Sequence, residues 1–163
     1  MSLSSGGHVS NAMTLAIVPG DLDDPRVRAL IAHHLSSSRA TGGCDHALEV
    51  DELKAPGIRF WAAWDENRLV GIGALHRLAD DHGEIKSMHT SSDSRRRGIA
   101  SAMLLHIIDA ARAAGMRRLS LETGAWDYFT AARALYQKHG FVVCEPFGDY
   151  APHSSSVFMT RTL

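Results

Sequence analysis

The chain has 163 residues, 45% of them hydrophobic and 21% charged, with a formal net charge of -1. That balance gives no electrostatic reason to expect nucleic acid or an anionic membrane surface as the main partner, so an anionic ligand would need a local basic cluster. No apolar run approaches the ~20 residues needed to cross a bilayer, and the length suits one compact domain with a real core.

Met1 to Ala12 is Ser/Gly-rich and lacks the basic and apolar regions of a secretory signal. Ser10-Asn11-Ala12 before Met13 reads as the remnant of an expression tag. The natural chain is therefore expected to begin at Met13, and residues 13–163 to form the single domain. Thr14 to Val18 has strand character and is closed by Pro19-Gly20. Asp23 or Asp24 before Pro25 is a helix start with proline in the first helical position. Val27, Leu30, Ile31 and His34-Leu35 continue that helix until Ser36-Ser37-Ser38 and Gly42-Gly43 break it. Residues 44–57 read as a loop with one short helix. Cys44 and Cys144 fall in no CxxC or zinc pattern, as expected of two reduced thiols in a cytoplasmic protein.

Ile58–Trp64 and Leu69–Leu75 read as a hairpin around the polar turn Asp65-Glu66-Asn67-Arg68. Gly83–Thr90 is a further strand. Ile99–Ala114 is the strongest helix, because Ile99, Met103, Leu104, Ile107, Ile108 and Ala111 keep a 3.6-residue period until Gly115. A strand at Arg118–Glu122, a helix at Thr130–His139 and strands at Phe141–Cys144 and Val157–Thr160 complete the chain. This mixture of hairpins and crossovers predicts an α/β sandwich around one mixed sheet.

The segment richest in chemistry is Glu84 to Ala100, in which a strand enters the turn Arg95-Arg96-Arg97-Gly98 and opens into the long helix. The first turn of a helix has amides without internal partners and partial positive charge, which together bind phosphate oxygens. Gly98 lets the backbone approach a ligand, and small Ala100 and Ser101 leave room beside it. The plainer reading is a solvated basic turn capping an ordinary helix. Helix starts favour acidic residues, however, so three arginines there point to an anion.

Arg95-x-x-Gly98-x-Ala100 resembles the Gln/Arg-x-x-Gly-x-Gly/Ala signature of the GNAT N-acetyltransferases. Ala134-Leu135-Tyr136-Gln137-Lys138-His139-Gly140-Phe141 is similar to the family's "ALYxKxGF" ending, about 40 residues further on. Arg59-Phe60-Trp61 and Leu121-Glu122-Thr123-Gly124 resemble a group of small bacterial acetyltransferases. The resemblance covers roughly residues 58–145, and the N-terminal third only in element order. It implies the family's α/β fold, a mixed, mostly antiparallel central sheet splayed at the cofactor site and flanked by helices. It also implies acetyl-CoA as co-substrate and direct transfer to a primary amine of a small molecule or peptide.

The same resemblance assigns site residues. Met88, His89 and Thr90 would line the pantetheine arm, with backbone groups of Met88 and Thr90 pairing to it. Amides from Arg96, Arg97, Gly98, Ile99, Ala100 and Ser101 would hold the pyrophosphate, flanked by the Arg95 and Arg96 side chains. Tyr136 would stand at the CoA sulfur and protonate or hydrogen-bond the departing thiolate; its plainer reading is a core aromatic. Many family members carry Asn seven residues before this Tyr, whereas Phe129 stands there in this chain.

A lysine-like amine pays about 4.6 kcal/mol to be neutral at pH 7, and an α-amine about 1.4 kcal/mol, so the first needs a base more. Glu84 is the first candidate, because the histone-acetyltransferase branch keeps its glutamate eleven residues before the signature. Glu122 on the neighbouring strand is the second, and either reads equally well as a surface carboxylate. His33, His34, His46, His76, His82 and His89 form no HExxH or zinc spacing, so no metal is expected, although His89 is placed to face the substrate. Gly71-Ile72-Gly73 starts like a dinucleotide fingerprint but lies inside a strand, where close packing is the better explanation.

Acceptor contacts are expected from His33–Leu48, Trp126–Phe129 and Pro146–Ser155. Trp61 and Trp64 are expected in the core. A homodimer is suggested by base rate alone. The competing functions are a non-catalytic acyl-CoA-binding or regulatory module on the same fold, and a phosphate- or nucleotide-binding protein using the same helix terminus.

Overall fold

The computed structural model describes residues 14–40, 48–94 and 97–163. One sheet contains β1 (Leu15–Pro19), β2 (Ile58–Asp65), β3 (Arg68–Ala79), β4 (His82–Thr90), β5 (Arg118–Gly124), β6 (Val142–Cys144) and β7 (Ser156–Thr162). Their spatial order is β1-β2-β3-β4-β5-β7-β6, and neighbours are antiparallel except for β4 with β5. The α-helices among the described residues are α1 (Pro25–Ala40), α2 (Val50–Leu53), α3 (Ile99–Ala113) and α4 (Thr130–Lys138).

Asp24 is the acid that starts α1: its Oδ1 accepts the Arg26 amide at 2.8 Å while Pro25 takes the first helical position. The serine run does not stop this helix, as its composition suggested it would. Ser38 lies on the same inward stripe as Ile31 and is buried, and packing outweighs serine's modest helix penalty of about half a kcal/mol. Cys44 and His46 lie outside the described residues; Cys144 is a free thiol on β6.

α3 buries the six positions that its period predicted, each 1% exposed or less. It lies against the sheet at Gly71 and Gly73. A Cβ at Gly73 would stand 2.9 Å from Met103 Cγ, and one at Gly71 3.1 Å from Ile99 Cγ2. Close packing is thus the use of these two glycines. Trp61 is buried in this α3-side cluster, whereas α1 and α2 cover the opposite face of the sheet, with Phe60, Ala62, Ile72 and Ala74 beneath them and Trp64 at the margin.

Two irregularities in β4 position the site. The parallel ladder pairs His82 with Arg118 and ends where Ile85 meets Leu121. Beyond that rung β4 stays with β3, and β5 stays with β7, so the two strands part. Between Lys86 and His89 the register with β3 also slips: Ala74 faces Lys86 but Ile72 faces His89. The extra residue is a β-bulge, and Ser87 sits in it with φ 55°. The sheet is therefore splayed within β4 itself.

Candidate functional site

The splay opens two connected cavities. The larger, of ≈ 590 Å³, runs from the parted edge of β4 to the first turn of α3. The smaller, of ≈ 110 Å³, lies toward the sheet face that α3 leaves uncovered. His34, Ser38, Met88, Phe129, Ala132 and Tyr136 line both and form the neck between them.

Met88, His89, Thr90, Gly98, Ile99, Ala100 and Ser101 all line the larger cleft. Gly98 caps α3 in the left-handed region with φ 77°, and a Cβ built on it would meet nothing within 4 Å. The space above the first-turn amides is therefore open, as an approaching phosphate requires. Arg95 and Arg96 lie outside the described residues. The Arg97 side chain turns away from the cleft to Asp65 at the end of β2, with Nη2 2.8 Å from Oδ2. One of the three arginines thus finds its counter-anion within the protein. Ser101 Oγ is 3.2 Å from His139 Nε2, which ties the start of α3 to the end of α4.

Tyr136, from α4, is 7% exposed and meets Phe141 edge-on at 5.9 Å between ring centroids. Burial pushes its phenol up to about 12. A proton so held is poorly surrendered: full transfer to a thiolate whose thiol titrates near 8.5 is uphill by on the order of 5 kcal/mol. Hydrogen-bond donation to the sulfur is the chemistry this environment favours.

Glu84 is 3% exposed, so it is not a surface carboxylate. Its Oε2 accepts the Tyr150 hydroxyl at 2.5 Å and lies 3.3 Å from Lys86 Nζ, while Oε1 lies 3.7 Å from His76 Nδ1. Lys86 Nζ also donates to the Tyr150 oxygen at 2.8 Å. Tyr150 comes from the β6–β7 connection, which lies over this polar face by stacking Phe147 and Tyr150 on Phe158 at 5.8 and 5.5 Å. Glu122 lines the same small recess, as does Ser87, whose buried Oγ has no hydrogen-bond partner.

At the neck, His34 Nδ1 is 3.1 Å from His89 Nδ1, linking α1 to β4. One ring must donate and the other accept, so the pair requires complementary tautomers. Burial, reinforced by the charge of His33, lowers the His34 imidazole to about 4. Phe129, in the place of the family's common Asn, lines both cavities with an apolar ring. Trp126 is 53% exposed, and no tryptophan lines either cavity.

The sequence reading gave Lys86 no role, and it held His34 and Tyr150 only as members of His33–Leu48 and Pro146–Ser155, the ranges expected to meet the acceptor. Lys86 was within reach, since a residue two along a strand from Glu84 shares its face. His34 stands three residues after Ile31 on the inward stripe of α1. Tyr150 carries no local signal, because its contacts are made 64 and 66 residues away.

Residues 28–141 match the acetyltransferase (GNAT) family. The sequence is 47% identical over 145 residues to the "Uncharacterized N-acetyltransferase YedL" of Escherichia coli (strain K12), covering 88% of this chain and 91% of that protein. It is 46% identical to the "Uncharacterized N-acetyltransferase YsnE" of Bacillus subtilis (strain 168), covering 88% and 96%. A putative acyl-CoA N-acyltransferase from Klebsiella pneumoniae superposes with TM-score 0.75 at 27% identity, covering 91% of this chain and 97% of that one. An Elizabethkingia anophelis GNAT acetyltransferase solved with acetyl-CoA bound shares the fold with TM-score 0.69 at 19% identity, covering 91% and 98%.

Proposed function

The chain belongs to the acetyltransferase (GNAT) family, and from that premise we propose that it moves an acetyl group from acetyl-CoA to a primary amine by direct attack in a ternary complex. The observation that carries the reading is the neck. A cleft of ≈ 590 Å³ reaching the α3 terminus meets a recess of ≈ 110 Å³ holding a carboxylate, and Tyr136 borders both. The first volume suits a cofactor-sized arm and the second an amine head.

In this reading, first-turn amides from Gly98 to Ser101 bind the pyrophosphate, with Arg95 and Arg96 adding charge. The backbone of Met88 to Thr90, on the edge where β4 has left β5, pairs with the pantetheine arm as a further strand would. The acceptor ammonium enters the recess and gives a proton to Glu84 directly or through one water. The neutral nitrogen then attacks the thioester carbon, the carbon–sulfur bond breaks with its electron pair leaving on sulfur, Tyr136 hydrogen-bonds that thiolate, and the proton the nitrogen sheds as the amide forms passes to the sulfur to give the CoA thiol. Phe129 and Met88 keep water from the neck. Neither described chemistry nor position gives Cys144, on β6, a part in an acyl-enzyme.

The test is calorimetric titration with acetyl-CoA, with ATP as the control ligand, followed by thiol release in the presence of amines. Acetyl-CoA binding in preference to ATP, with intersecting initial-rate lines, is expected. Parallel lines would sink direct transfer. Binding without thiol release on any amine would instead favour an acyl-CoA-binding module.

A further inference from the structure

We propose that, granted the acetyl-transfer reading above, Lys86 is an internal acceptor: when no amine fills the recess, the protein acetylates the Nζ of its own Lys86. The acceptor ammonium is expected beside Glu84, and the chain itself already holds a primary amine there. Lys86 Nζ lies 3.3 Å from Glu84 Oε2 and donates to the Tyr150 hydroxyl oxygen at 2.8 Å. Its side chain is only 11% exposed. It lines the small recess with Glu84 and with Tyr136, which also borders the cofactor cleft. The amine is therefore approached from inside the site rather than from bulk solvent.

Its place on β4 brings it near the donor. Lys86 directly precedes the bulge at Ser87, and Met88 directly follows it, where β4 has already left β5. The nitrogen and the strand edge assigned to the pantetheine arm thus belong to one short stretch of backbone. A lysine stem turns about several single bonds, so the nitrogen can swing toward the neck while the strand stays fixed.

An ammonium has no free electron pair, so a proton must leave before attack. Glu84 Oε2 is already in place to take it, and the Tyr150 hydroxyl still accepts a hydrogen bond from the neutral amine. The freed pair attacks the thioester carbon, and the carbon–sulfur bond breaks with its electrons on sulfur. The second proton, shed as the amide forms, passes to that thiolate. The products are Nε-acetyl-Lys86 and the CoA thiol, and Glu84 returns its proton to water. A nucleophile tethered beside its base reacts without a diffusing partner, which in well-oriented cases is equivalent to about 10⁵ M or more of free reactant. The modified chain has lost the ammonium next to a 3% exposed glutamate, and an amide stands in the recess.

The experiment incubates the purified protein with acetyl-CoA and no amine, then counts and places acetyl groups by intact mass and peptide mapping. Lys54 and Lys138, the other lysines of the chain, are exposed and report uncatalysed labelling. The expected result is a single acetyl group on Lys86, matched by CoA thiol release, at a rate independent of protein concentration. In Glu84→Gln that rate falls at least about tenfold, and in Lys86→Arg the thiol release disappears with the label. Thermal melts and calorimetry with acetyl-CoA on all three proteins show that the fold and the cofactor site are retained. Protein that binds acetyl-CoA yet labels Lys86 no faster than Lys54 and Lys138 overturns the inference and leaves the acetyltransferase reading in place. So does labelling that quickens with protein concentration or is unmoved in Glu84→Gln. Protein that binds no acetyl-CoA overturns both.

Discussion

Tyr150 donates its hydroxyl proton to Glu84 Oε2 across 2.5 Å, joining the β6–β7 connection to the splayed strand β4. The contact makes the candidate base part of a tertiary network with Lys86, so its orientation depends on a segment outside the family motifs. Removing the carboxylate charge while keeping the shape isolates its chemical part. Glu84→Gln is expected to lower kcat by about 10²–10⁴-fold while the Kd for acetyl-CoA stays within about threefold. Single-turnover rates beside calorimetry measure both. A rate within about threefold of wild type transfers the role to Glu122 or to water.

Tyr136→Phe should separate the sulfur contact from the packing. The ring is 7% exposed and its apolar contacts persist in Phe, so thermal stability changes little. The expected loss is about 10–10²-fold in kcat, with acetyl-CoA affinity retained. Burial holds the wild-type phenol protonated up to about 12, so the rate should show no phenol ionisation through pH ~10. A basic limb near pH 9 that vanishes in Tyr136→Phe would contradict this.

Gly98→Val probes the cradle. Its φ of 77° costs an L-residue about 1–2 kcal/mol, but the added side chain starts in open space. A folded protein with modestly lower Tm and at least about tenfold weaker acetyl-CoA binding is the expected outcome. Unchanged affinity would mean that the α3 terminus carries no phosphate.

His34 gives stability a pH dependence whose sign follows from burial. Its imidazole titrates near 4 when folded against an ordinary 6.5, so between these values the unfolded chain holds a proton that the native one lacks. The contribution is present above about 6.5 and is lost as pH falls to about 4, by up to roughly 3 kcal/mol. Thermal melts across that window should drop less steeply in His34→Gln than in wild type. Parallel curves would show that His34 charges as easily in the native protein as in the unfolded one.

What was legible in the sequence was what is local. The α3 stripe and the Pro25 start are written in spacing and in one turn of chain, and the structure follows both. The succession of strands and helices along the chain followed from alternation and turn residues, whereas the placing of β7 between β5 and β6 did not. The extension of α1 through Ser36–Ser38 was not legible, because Ser38 is held by what it packs against. Arg97 looked like ligand charge until Asp65, 32 residues earlier, accounted for it. Glu84 was readable as a candidate through the family resemblance, but its burial and its bond to Tyr150 depend on contacts that no window contains. The bulge at Ser87 escaped for another reason: left-handed backbone is usually marked by Gly or Asn, and serine gives no such mark.

That single extra residue resets which side of the sheet each position of β4 addresses. Before Ser87 the even-numbered residues Glu84 and Lys86 share the face of Ala74 and His76; after it, odd-numbered His89 shares the face of Ile72. The strand is thus two reading frames in series, one on each side of the bulge. Deleting Ser87 would remove the bulge and leave Glu84, Lys86 and His89 all on the α1 side, with one residue in place of two between Lys86 and His89. The bulge thus lets two successive residues occupy one step of the ladder while the positions on either side of it keep a common face.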